Sequence, residues 1–336
     1  MGESAKKILV TGGCGFIGSY LCRELAKMGY AIRVIDIARN EKIEANYDFR
    51  QVDILGQEGL TEAMEGIDLV LHLAAKHKFF GVSEKEFFTV NETGTKNLLE
   101  AMDVNGVKSI IFFSTVAVYG DSNGTTNEST ETKPNNPYGS SKLAAENLVR
   151  GWAEKDPERR AIIIRPTVVF GPGNKGNVYR LIRQIYYRGY LPIGPGDNIK
   201  SIAYIENLAA ATVYLLKNGP HGVSVFNYAD EPHMPYNEIV KMIYAGLGRS
   251  APNFYLPLKP MLKAGRTVDR ILEGLAIQFS VETAVQKVNK QTCHSAEKLQ
   301  ELGFIPMYTS GEGLKTMVLW YLEEKGAIRG EKFYEN

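Results

Sequence analysis

Ile8-Leu9-Val10-Thr11-Gly12-Gly13-Cys14-Gly15-Phe16-Ile17-Gly18, followed by a second apolar run from 31 to 35 that ends in Asp36, decides how this chain is read. An apolar strand enters glycines at 12, 15 and 18, and an amphipathic helix leaves them through Phe16, Ile17, Tyr20, Leu21 and Leu25. Gly12 suits a tight turn, Gly15 lets the backbone approach a pyrophosphate, and Gly18 lets the helix sit close on the strand. Free N–H groups at the helix start face the phosphates. Asp36 stands where an acid accepts both hydroxyls of an adenosine ribose. Strand, turn, helix, second strand and acid together predict a dinucleotide site.

Working outward, apolar runs alternate with helical patterns. Residues 49–53 read as a short third strand, 68–75 as a buried strand ending in Leu73, Ala74 and Ala75, and 109–115 as another ending in Ser114-Thr115. A long helix is expected over 84–102 and a sixth strand over 161–166. Continuous apolar strands separated by helices predict an α/β fold, a doubly wound parallel sheet covered on both faces. Ligands in such sheets sit beyond the carboxyl ends of the strands. Gly12, Asp36, Asp53, Ala74, Ala75 and Thr115 all fall there.

Residues 120–137 form a polar loop, after which Asn136-Pro137-Tyr138 opens a helix. Tyr138 and Lys142, four apart, share one helix face. A free phenol titrates near 10, and a neighbouring ammonium together with an oxidised nicotinamide would bring it toward the working range. Thr115 is placed to align a substrate oxygen with that phenol. Hydride would pass between a carbinol carbon and the nicotinamide while Tyr138 moves the proton.

The second half loses the alternation. Helices are expected at 178–187, 207–216, 236–247 and 310–323, with strands at 200–205, 223–228 and 254–256. Residues 1–172 read as the dinucleotide-binding Rossmann domain and 173–330 as mainly a smaller mixed α/β substrate-binding cap, with 200–230 returning to the sheet. The stretch 258–279 has an amphipathic pattern and is read as packing on the cap or a partner subunit rather than facing a membrane. Cys293-His294 is read as structural.

Bulk properties exclude several classes. A net charge of +1 gives no reason to expect nucleic acid or a membrane surface as partner. No apolar run is long enough to span a bilayer. Three cysteines without metal spacing predict no metal and no disulfide, and a cytoplasmic location with no signal peptide is expected.

Thr11 through Gly18, Leu71-His72-Leu73-Ala74-Ala75, Phe113-Ser114-Thr115-Val116-Ala117-Val118-Tyr119-Gly120, Pro137-Tyr138-Gly139-Ser140-Ser141-Lys142 and Arg165-Pro166-Thr167-Val168-Val169-Phe170-Gly171-Pro172 carry a family resemblance. The chain resembles the extended short-chain dehydrogenase/reductases, and within them the NAD-dependent epimerase/dehydratase group that acts on nucleotide-diphosphate sugars. The resemblance is strong over 7–172 and continuous to the last helix. It implies a tightly held NAD and a triad of Thr115, Tyr138 and Lys142. It also implies that Gly12, Gly15, Phe16, Ile17, Gly18, Asp36, Leu73, Ala74, Ala75 and Asn91 line the cofactor, with Asp53 and Ile54 flanking the adenine. Asp36 favours NAD over NADP, although Arg39 lies close by.

The departures matter too. Val116-Ala117 replaces the Asp-Glu pair usual in the dehydratase branch, which argues against dehydration. Val168 stands where sugar epimerases usually carry an asparagine, and Lys200-Ser201-Ile202 replaces an Arg-Asp-Tyr/Phe segment. Asn177 resembles a second substrate-binding asparagine, and Arg180 or Arg183 is either a phosphate contact or a solvated helix face. His77, Lys78, Phe79 and Phe80 follow the fourth strand, where substrate or nicotinamide could lie. The expected function is 4-epimerisation of a nucleotide sugar by a homodimer paired through the helices over 84–102 and 138–152. One alternative is a one-way ketoreductase or dehydrogenase acting on a keto-sugar or hydroxysteroid-like substrate. A second is a non-catalytic NAD-sensing protein.

Overall fold

The computed structural model describes residues 6–77, 81–122, 124–274 and 280–326. Seven strands form the central sheet: β1 (Lys7–Thr11), β2 (Ala31–Asp36), β3 (Asp48–Gln51), β4 (Leu69–His72), β5 (Ser109–Phe113), β7 (Arg160–Pro166) and β10 (Gly222–Tyr228). All pair in parallel, in the order β10-β7-β5-β4-β1-β2-β3. The order reverses at β1, so the first glycine turn lies at the topological switch point where such sheets bind ligands. Ile8 and Val10 bury into one face of the sheet and Leu9 into the other, the period expected of a covered strand. Helices Phe16–Lys27 and Ile205–Asn218 cover the first face, and Gln57–Ala63, Gly94–Val104 and Pro137–Ala153 the second.

Two small parallel pairs complete the chain. One joins β8 (Val168–Phe170) to β9 (Ile202–Tyr204), and the other joins β6 (Thr125–Thr126) to β11 (Cys293–His294). A separate core around Phe170, Tyr179, Ile243, Leu314 and Tyr321 binds helices Asn177–Arg188, Tyr236–Gly246 and Ser310–Glu324 to the β8–β9 pair.

Several expectations change in detail. The helix expected over 84–102 is interrupted: α-helix over Glu84–Phe88, a π-helical turn over Thr89–Thr93, then α-helix from Gly94 to Val104. The strands expected to reach 75 and 115 end at His72 and Phe113, although Leu73 N and Ser114 N still donate to Thr11 O and Ile164 O of the neighbouring strands. Residues 254–256 form no strand, only a bridge between Ile193 and Leu256. Cys293-His294 pairs as a strand with the 120–137 loop, and His294 Nδ1 meets Thr126 Oγ1 at 2.6 Å. Lys78, Phe79, Phe80 and the end of the 258–279 stretch lie outside the described residues.

Candidate active site

The rim starts at the glycine turn. Gly12 sits at φ +70°, and a Cβ there would fall 2.7 Å from Ala74 N. A Cβ on Gly18 would fall 2.5 Å from Gly12 O and 2.6 Å from Gly13 Cα. No side chain caps the helix that Gly15 opens, so the N–H groups of its first turn, carried by Phe16, Ile17 and Gly18, remain for an anion. Asp36 closes the turn: one carboxylate oxygen accepts from Cys14 N at 3.1 Å and the other from Ala38 N at 3.0 Å. Asp53 likewise accepts from Leu55 N at 2.9 Å, and Ile54 is buried in the core beneath. Arg39 is held by Glu44, with Nε donating to Oε1 at 2.9 Å, so its guanidinium is engaged away from any second phosphate.

A buried relay wires this turn to the end of β4. Thr11 Oγ1 accepts from Leu73 N at 3.2 Å and Ala74 N at 3.1 Å, and its hydroxyl meets His72 Nδ1 at 2.7 Å. With those lone pairs occupied, the hydroxyl donates to Nδ1, which leaves Nε2 protonated toward Thr95 Oγ1 at 3.0 Å. Thr95 in turn donates to Asn91 O at 2.6 Å. Burial pulls the His72 imidazole down to about 3, so it is neutral in this role. The π-turn rotates Asn91 inward, where its amide accepts from Lys76 N at 2.7 Å and donates to Lys76 O and Ser141 Oγ. Asn91 thus pins the loop carrying Ala74 and Ala75 to the helix carrying Tyr138. His77 is exposed at the far end of that loop.

Asn136 caps the Tyr138 helix by accepting from Gly139 N at 2.9 Å, with Pro137 in its first turn. The Thr115 side chain hydrogen-bonds the Tyr138 phenol and also accepts from Ala117 N at 3.1 Å. Burial pushes that phenol up to about 12, a shift the Thr115 bond opposes. In the ligand-free chain burial dominates; the lowering expected from Lys142 together with an oxidised nicotinamide concerns the cofactor-bound site. Lys142 is itself 2% exposed, its ammonium 4.1 Å from the centre of the Phe112 ring, and burial brings it down to about 7. One turn further on, Glu146 is buried and clamped by Arg165, Nε to Oε1 at 2.8 Å and Nη2 to Oε2 at 2.6 Å. Arg165 also donates to Tyr119 OH at 2.9 Å, and that hydroxyl donates to Asn227 Oδ1 at 2.7 Å. The sequence reading missed this network; the i, i+4 spacing of Lys142 and Glu146 was its only signal.

Across the cleft the candidates are looser. Asn177 is exposed as the first residue of its helix, and Arg180 and Arg183 are exposed further along it. Lys200 is committed elsewhere, because Nζ donates to the carbonyls of Lys287 (3.0 Å) and Lys290 at the end of helix Val281–Asn289. Val168 is 41% exposed.

A parallel sheet with a glycine turn at its switch point and a paired phenol and ammonium on the same rim defines the class: a Rossmann-fold enzyme built around a dinucleotide. The family model described as the NAD dependent epimerase/dehydratase family matches residues 8–229, and the chain belongs to that family, in its extended short-chain dehydrogenase/reductase form. A curated relative, N-acetyl-alpha-D-glucosaminyl-diphospho-ditrans,octacis-undecaprenol 4-epimerase of Escherichia coli O157:H7, is 36% identical, the match covering 91% of this chain and 92% of the relative. The sterol-4-alpha-carboxylate 3-dehydrogenase (decarboxylating) of Bos taurus is 31% identical over 94% of this chain and 92% of its own length. Among solved structures, the UDP-glucuronic acid 4-epimerase of Bacillus cereus in complex with NAD superposes with a TM-score of 0.76 at 27% identity, covering 95% of this chain and 99% of that one.

The residues present fit NAD. The helix after the glycine turn starts with its first N–H groups uncapped by the Gly15 cap residue, Asp36 ends β2, and Arg39 is paired with Glu44. Ser114 Oγ and Thr167 Oγ1, at the carboxyl ends of β5 and β7, are buried hydroxyls with no partner among the described residues.

Proposed function

We propose that the protein 4-epimerises a sugar carried on a diphosphate, with Tyr138 as acid and base, Thr115 as its aligning partner and Lys142 as the cation beneath. NAD, when bound, supplies the hydride acceptor and a positive ring beside the phenol. The observation that carries the reading is Tyr138 and a buried Lys142 four residues apart on one helix, the phenol bonded by Thr115 and the ammonium packed on the Phe112 ring. Tyr138 takes the proton of the sugar hydroxyl through its phenolate and returns it after the keto-sugar has turned over. With NAD bound, Lys142 would hold the nicotinamide ribose and, with the positive ring, would stabilise that phenolate. Glu146 would otherwise neutralise Lys142; Arg165 draws that carboxylate away. Val116-Ala117, lacking a second acid–base pair, supports interconversion over dehydration. Phe16 and Ile17 at the helix start, Leu73 to Ala75 and Asp36 are the proposed cofactor wall.

The substrate's other half is a nucleoside or, as in the name of the Escherichia coli relative, a polyprenol. Asn177, Arg180 and His77 are the proposed contacts. Lys200, whose Nζ donates to carbonyls at the end of helix Val281–Asn289, would have to exchange those bonds to meet a diphosphate.

A second reading, a one-way dehydrogenase or reductase, is favoured by the same engaged Lys200 and by Val168 in place of an amide; the bovine sterol dehydrogenase is consistent with it. Proton NMR of purified enzyme with sugar diphosphates separates the two. Redox-neutral interconversion of the 4-epimers supports the first reading, and stoichiometric accumulation or consumption of NADH supports the second. Tyr138→Phe should lower turnover about 10²–10⁴-fold while keeping NAD affinity. Unchanged turnover in that variant would rule out the catalytic assignment.

A further inference from the structure

Helix Leu258–Gly274 carries Lys259, Lys263, Arg266 and Arg270 at spacings of four, three and four, which lines them along one side. All four are exposed. Arg266 is paired with Glu282 at 2.7 Å, whereas Lys259, Lys263 and Arg270 have no ion-pair partner among the described residues. Two acids beside the stripe are engaged within the cap: Asp269 accepts from Ser280 Oγ, Val281 N and Glu282 N, and Glu282 is taken by Arg266 and Gln286. On a chain of net charge +1 this is a concentrated cationic edge. Phe254 (58% exposed) and Tyr255 (53%) lie on the segment leading into it.

Behind the stripe, Gly265 packs on Val281 and Glu282 of helix Val281–Asn289. That helix and residues 190–193 flank a half-open groove of about 230 Å³ lined by Leu191, Ile193, Val281 and Val285 together with the polar Gln184 and Asn289. The far end of the same helix is the one Lys200 caps.

We propose that this face of the cap docks on an anionic phospholipid bilayer. The unpaired cations meet the headgroups, and Phe254 and Tyr255 enter the interface. A basic helix edge beside exposed aromatics is the arrangement that holds peripheral proteins at such surfaces. The whole-chain charge averages this patch away, and the amphipathic pattern of 258–279 is read from sequence as packing on the cap or a partner subunit. Docking here is independent of the 4-epimerase reading; it would give the site access to a diphosphate sugar whose other half is a polyprenol.

The test is co-sedimentation of the full chain with vesicles of phosphatidylcholine alone or with added phosphatidylglycerol, at low and high salt. The expected result is binding to the anionic vesicles only, weakened by salt. The triple variant Lys259→Glu, Lys263→Glu, Arg270→Glu should lose binding at least about a hundredfold, from about fivefold for each basic side chain removed. Phe254→Ser with Tyr255→Ser should weaken it at constant charge. Far-ultraviolet dichroism and NAD affinity unchanged in the variants show that they fold. Equal binding to neutral vesicles, undiminished binding of the triple variant, or a lipid-free dimer abolished by it would each overturn the proposal. Turnover of water-soluble UDP-sugars, measured in parallel, tests the epimerase reading separately.

Discussion

Lys142 shows how function competes with stability at the residue scale. Its ammonium lies in the core with an aromatic face beside it and its nearest acid drawn off by Arg165. Burial depresses its pKa to about 7, from 10.5 in the unfolded chain, so between those values the unfolded state binds the extra proton. Stability of the ligand-free protein from this group therefore rises with pH across that window, and the full cost of the buried charge is felt below it. Lys142→Met should stabilise the ligand-free chain at pH 7 by about 1–4 kcal/mol, an advantage that fades toward pH 10.5. Thermal melting across pH 6–10 would check it, and a variant less stable than the parent at pH 7 contradicts it. The glycines, Asp36, Thr115, Tyr138 and Lys142 were legible because their spacing is local and their chemistry has few alternatives. The engagement of Lys200 was not legible, because its acceptors lie near 290, far along the chain. Nor was the raised Tyr138 phenol, which depends on burial supplied by several elements.

At the scale of elements, the helix from Phe16 to Lys27 depends on close contact with the turn that precedes it. Gly18→Ala would put a methyl group against Gly12 O and Gly13 Cα, both backbone and neither able to swing aside. The helix must tilt off the strand, at a cost of about 1–3 kcal/mol. NAD affinity, measured by calorimetric titration, should fall at least tenfold, since the N–H groups of the first turn move with the helix. Retained affinity would mean that the contact is slack. The strands and this helix announce themselves by periodicity. The π-turn at Thr89–Thr93 does not, because one inserted residue leaves the apolar positions on either side looking like a single helix. Only the buried bonds of Asn91 to Lys76 and Ser141 give a reason for it.

At the scale of the whole molecule, the chain crosses between its parts repeatedly. Tyr20 OH donates to Pro172 O at 2.9 Å, Arg23 pairs with Glu206 at 2.8 Å, and Glu128 Oε1 accepts from Asn227 N at 2.7 Å. β10 closes the sheet against the full length of β7. A fragment of residues 1–172 would expose the β7 edge and the apolar face that helix Ile205–Asn218 covers. It should aggregate or melt without cooperativity, whereas the whole chain melts cooperatively; a soluble, cooperatively folding fragment would contradict this. The two-residue pairing of Thr125–Thr126 with Cys293–His294 carries this dependence into biosynthesis. A ribosome making the chain releases the glycine turn, the tyrosine and the lysine long before the strap that secures the loop between Thr115 and Tyr138. The proposed reacting rim is therefore encoded well before the strap that fastens its loop. An incomplete chain carries every proposed catalytic side chain but lacks the strand and strap that hold them in register.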